Sequence, residues 1–99
     1  MRIGNVVGTI TLNRQHPSMQ GARLLMVEPL SLAQLRGEKV LGPDTIVVYD
    51  QLGAAAGHRI MISEGREAAL PFAPAIKPVD AYNAGILDRL DLSNFNIVP

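Results

Sequence analysis

The sequence predicts an all-β fold: a small five-stranded β-barrel with one or two short helical turns. Three observations carry this prediction. The chain has 99 residues, the size of one domain. Its apolar residues fall in about five short runs rich in β-branched side chains, separated by glycine- and proline-bearing turns. It is 47% hydrophobic and only 18% charged. An exposed sheet edge on so apolar a chain invites aggregation, and closure into a barrel removes the edge.

The first strand is read over residues 1–12, on Ile3, Val6, Val7, Ile10 and Leu12 with Thr9 and Thr11 between them. Gly8 interrupts it and predicts a bulge or a barrel corner. Residues 13–21 are polar, carry Pro17 and Gly21, and read as a long hairpin loop. The return strand is residues 22–29, built on Leu24-Leu25-Met26-Val27 and ended by Pro29, which cannot donate to a ladder. Ser31 as N-cap and Gly37 as stop outline a helical turn. Gly42-Pro43-Asp44 reads as a turn, and residues 45–50 as a third strand on Ile46, Val47, Val48 and Tyr49.

Residues 53–57, Gly-Ala-Ala-Ala-Gly, form a small-residue connection to a fourth strand at 59–63. Residues 64–69 begin a mixed turn or short helix. Pro71, Pro74 and Pro78 make 70–78 extended and irregular. Asp80 reads as the N-cap of a short helix over 81–85, with a last strand at 86–88. The barrel domain is therefore 1–88, and 89–99 a tail. Leu92, Phe95, Ile97 and Val98 are anchors that predict docking of the tail.

Composition excludes several classes. Nine basic and nine acidic residues cancel, so nothing favours nucleic acid or an anionic membrane. No run approaches the ~18 apolar residues of a spanning helix. The start, Met1-Arg2-Ile3-Gly4, has neither the charged nor the apolar segment of a secretory signal, and the expectation is a cytoplasmic protein. Without cysteine there are no disulfides and no thiolate metal site. A domain this small buries only roughly two-thirds of its chain surface. Its surplus of apolar side chain therefore predicts burial between subunits.

No constellation points to catalysis. His16 and His58 stand 42 positions apart with no ligand spacing, and read as a loop and a turn residue. None of Ser18, Ser31, Ser63 and Ser93 sits in a nucleophile elbow. No spacing pairs Asp50 with Glu64. The glycine-flanked segment 53–57 lacks the lysine and hydroxyl of a phosphate loop, and reads as a tight connection. The five-strand pattern is OB-like, and the alternative function is an OB-like nucleic-acid-binding module. That work needs basic grooves and stacking aromatics, and Tyr49 and Phe72 make a poor platform.

Several segments, in order, resemble one family. They are Ile3-Gly4-Asn5-Val6-Val7-Gly8-Thr9-Ile10, then His16-Pro17 with Gly21-Ala22-Arg23-Leu24-Leu25-Met26-Val27. Next come the stretch from Val48-Tyr49-Asp50 through Gly53-Ala54-Ala55-Ala56-Gly57, and Ser63-Glu64-Gly65-Arg66-Glu67-Ala68. Last are Pro78-Val79-Asp80-Ala81 and Gly85-Ile86-Leu87-Asp88. The whole is similar to the EutN/CcmL family, pentameric vertex proteins of carboxysomes and other bacterial microcompartments. Ala55 departs from a glycine frequent in that family, and a different local turn is expected. The resemblance implies a barrel in five copies about an axis, capping the vertices of a shell made mostly of hexameric proteins. It implies a homopentamer with no catalysis and no cofactor.

The expected ring contacts are Arg23, Asp50, Arg66, Glu67 and Asp80, charged residues in otherwise small or apolar segments, with Ala54 and Ala55 permitting close approach. Ser63, Glu64 and Gly65 are the expected lining of a central opening.

Overall fold

The computed structural model describes residues 1–42 and 44–92. Five strands close into a barrel in the order β1-β2-β3-β5-β4. They are β1 (Arg2–Ile10), β2 (Arg23–Pro29), β3 (Ile46–Asp50), β4 (Arg59–Glu64) and β5 (Ala81–Ile86). All neighbours pair antiparallel except β3 and β5, which run parallel and meet at Tyr49 and Tyr82.

The β1–β2 register shifts between Val6 and Gly8. This is the bulge that Gly8 predicts, and it turns Val7 out to solvent. Gly4 has a different task, which the sequence reading missed. It is buried, and a Cβ there would lie 2.6 Å from Val27 Cγ1 and 2.9 Å from Ile62 Cδ1. β1 crosses the barrel core at a distance only glycine permits.

The interior is filled by Val6, Leu25, Val27, Val48, Ala54, Ile60, Ile62 and Ala81. A second cluster covers the outside of β2 and β3: Met19, Leu24 and Tyr49, flanked by Ile10, Ala22, Phe72, Val79 and Tyr82. Two-sided burial explains why Leu24-Leu25 is apolar at consecutive positions, since neighbours on a strand face opposite ways.

Local signals explain the rest. The 13–21 loop contains a 3-10 turn, Pro17–Met19, whose cap is the His16 side chain. Helix α1 (Leu32–Leu35) carries the expected Ser31 cap as a full capping box with Gln34. Gly37 follows at φ +90°, the left-handed stop expected of it. Within the 42–44 turn, Pro43 lies outside the described residues, as do Phe95, Ile97 and Val98 of the tail.

Three expectations are corrected. Residues 81–85 are strand, not helix: Ala81 and Asn83 point inward while Ala84 and Ile86 face out, a period of two. A helix there would leave the β4 edge unpaired, and that lost ladder outweighs a marginal N-cap at Asp80. The last strand accordingly ends at Ile86 rather than spanning 86–88. A 3-10 helix runs Gly65–Phe72 and absorbs the start of the stretch expected to be irregular. Its Pro71 supplies the fixed φ that such a turn uses.

Candidate assembly surface

The loop after β3 is tied down by side-chain hydrogen bonds. β3 ends on Asp50, and the carboxylate folds back over the chain that follows. Leu52 N–H donates to Oδ1 at 3.0 Å. Gly53 and Ala54 N–H donate to Oδ2 at 3.0 and 2.9 Å. Asn83 Nδ2, from β5, reaches Oδ1 at 2.9 Å, and Arg23 Nε, from β2, reaches Oδ2 at 3.0 Å. Arg23 also donates to the Ala54 carbonyl. One carboxylate thus ties β2, β3, β5 and the loop together. Burial pushes its pKa up, but the hydrogen bonds from Leu52, Asn83, Arg23 and Ala54 outweigh burial and hold it below the ordinary 3.8.

This network separates the expected contacts. The Asp50 side chain has no exposed surface while Arg23 keeps 44% of its own. Asp50 is therefore corrected from a contact to the anchor that positions Arg23. Ala54 is corrected as well: it is 0% exposed, part of the barrel's own core, because the Asp50 clamp pulls it inward. Ala55 is exposed at the loop tip. The departure from glycine there costs nothing, since the positive φ values fall on Gly53 and Gly57 instead.

Arg66 and Glu67 are exposed on the 3-10 helix after β4, and Asp80 is exposed before β5. The structure brings these segments together, with Gly65 N–H donating to the Asp80 carbonyl at 2.9 Å. Of the expected opening, Glu64 and Gly65 are exposed and Ser63 is buried. Glu64 is held by Arg2, with Nε–Oε1 at 2.6 Å and Nη2–Oε2 at 2.9 Å. That hydrogen-bonded arginine draws its pKa below the ordinary 4.5.

Sequence reasoning expected surplus apolar surface but did not say which residues carry it. Val7, Val47, Leu52, Leu70, Leu41 and Ile76 are all exposed, Ile76 at 89%. Strand alternation carried part of that signal: Val47 stands between residues of the opposite face. Leu70 on the 3-10 helix and the loop residue Ile76 gave none. The described aromatic residues do not form a free platform. Tyr49, Phe72 and Tyr82 pack on one another with centroids 4.7 to 6.4 Å apart. The Lys77 ammonium lies 5.2 Å from the Phe72 centroid. Among the described residues no group of three His, Cys, Asp or Glu side chains is placed to hold a metal.

A closed five-stranded barrel with a clamped loop and an exposed apolar exterior defines a class of small β-barrel modules. The chain belongs to the EutN/CcmL family: the model for "Ethanolamine utilisation protein EutN/carboxysome" matches residues 1–88. It is 32% identical to the bacterial microcompartment shell vertex protein GrpN of Rhodospirillum rubrum, over 95% of this chain and 100% of that one. It is 31% identical to the carboxysome shell vertex protein CcmL of Gloeobacter violaceus, over 95% of this chain and 89% of that one. The solved structure of GrpN, described as a pentameric microcompartment shell protein, superposes with a TM-score of 0.78 at 29% identity. It covers 94% of this chain and 100% of that one.

Proposed function

We propose that this chain is a structural shell subunit that assembles as a homopentamer and caps the vertices of a bacterial microcompartment in the cytoplasm. One observation carries the reading beyond family membership. Large apolar side chains such as Leu52, Leu70 and Ile76 stand in solvent on a barrel whose sheet is already closed. Closure removes strand addition as a way to cover them, and in this reading side-chain packing against other subunits covers them. In a ring each subunit presents two different faces, and both need apolar cover.

The barrel unit is residues 1–88, with 89–99 a tail. Arg23, Ala55, Arg66, Glu67 and Asp80 are the ring contacts of this reading, and Glu64 and Gly65 line its axis. Hexameric shell proteins are the partners across the ring's outer rim. The chain works without catalysis and without a cofactor. The test is mass in solution. Analytical ultracentrifugation or native mass spectrometry is expected to give one species near five times 10.6 kDa. A stable monomer at micromolar concentration would overturn the proposal.

A further inference from the structure

We propose that His58 is a pH-sensitive brace of the 52–57 loop, whose Ala55 end keeps its closed form only while the imidazole is neutral. Four consecutive amides in this loop donate to two titratable side chains. Leu52, Gly53 and Ala54 go to Asp50, as described above, and Ala55 N–H goes to His58 Nδ1 at 2.9 Å. The turn is closed by His58 N–H donating to the Ala55 carbonyl at 3.0 Å. It is stitched to the β1 bulge by Gly57 N–H to Val6 O and by Val6 N–H to His58 O, at 2.9 and 2.8 Å.

An amide that points at a ring nitrogen needs a lone pair there. The bond therefore fixes the neutral tautomer with its proton on Nε2. Protonation places an N–H on Nδ1. Two donors then face each other and Ala55 loses its acceptor.

The groove of about 620 Å³ that His58 lines also holds Asn5, Arg59, Asp88 and Arg89. Arg59 Nε is taken by Asn5 Oδ1 at 3.2 Å and Arg89 by Asp91 at 3.0 Å. The charged side chains that share this groove with the ring are thus Arg59, Asp88 and Arg89. The Asp50 end of the loop stays clamped through the range in which an imidazole changes charge, because its carboxyl titrates below 3.8. Only the His58 end releases.

His16 is the internal comparison. Its Nδ1 accepts from Ser18 N–H at 3.1 Å but also faces Ser18 Oγ at 2.6 Å, and a hydroxyl can turn round to accept from the cation. Among the described residues His58 has no such substitute at its Nδ1 contact. Every bond of the brace lies within one subunit.

Nuclear magnetic resonance of the full chain between pH 8 and 5 tests it. At pH 8 the His58 proton is expected on Nε2. As the ring titrates, Ala55 amide protection is expected to fall about tenfold, the effect of losing one neutral hydrogen bond, with the same midpoint as the ring. Ala54 protection stays constant. In His58→Asn the amide oxygen accepts at every pH, so Ala55 stays protected throughout. A proton on Nδ1 at pH 8, or wild-type Ala55 protection that does not change with pH, overturns the proposal whether or not the variant folds.

Discussion

Gly4 and Asp50 each join segments that lie far apart in the chain. At Gly4 a methyl group meets Val27 and Ile62 inside ordinary contact distance, with the Glu28 carbonyl at 3.0 Å behind them. Backbone cannot give way as a flexible side chain can. Gly4→Ala is expected to cost about 1–3 kcal/mol by overpacking, read as a lowered urea midpoint at unchanged slope. At Asp50 the prediction concerns acid. Its folded pKa is depressed, so its contribution is fully present above the ordinary 3.8 and is lost as pH falls through the lower folded value. Stability measured by urea unfolding should therefore drop below about pH 4. Asp50→Asn should show a weaker drop there. It should also be less stable at neutral pH by at least about 1–3 kcal/mol, because an amide NH₂ replaces an acceptor among five donors. Asp50 was visible in the sequence as a charged residue in a small-residue segment. Its role was not, because nothing in the order of residues says that a carboxylate is dry.

Among the elements, β5 shows how tertiary context overrides a local signal. Asp80 followed by Ala81 is a fair helix start, and Ala84-Gly85 is a fair helix end. The stretch is only six residues, too short to hold a helix in water without packing support. β4 offers it a ladder from Glu64–Ala81 to Ile60–Ile86, and the strand wins. The opposite case is α1, where Ser31 and Gln34 make reciprocal bonds that tertiary structure has no reason to disturb. The Arg2–Glu64 pair joins the chain's start to the end of β4 but is open to water, with side chains 42% and 37% exposed. Arg2→Ala is therefore expected to lower stability by less than about 1 kcal/mol, and by less still at high salt, as checked by thermal melts in 0.1 and 1 M sodium chloride.

On the scale of the whole molecule, the prediction separates folding from assembly. Ile76 is 89% exposed. Ile76→Ser should leave the subunit's own fold within about 0.5 kcal/mol of the parent, as surface changes do. If Ile76 is covered by a neighbour, the variant should dissociate at a higher protein concentration in sedimentation runs. An unchanged dissociation profile would place Ile76 outside the ring.

The sequence by itself determined the all-β class, the bulge at Gly8, the caps of α1, and the ordered motifs that carry the family. These are properties of short segments, set by β-branching, turn residues and spacing. Only the tertiary structure decided that β5 is a strand beside β4, that Gly4 yields space to the core, and that Ala54 and Asp50 face inward while Arg23 reaches out. Each of these depends on which segments meet across the barrel. Burial arises from residues far apart in the chain, so no local pattern can state it.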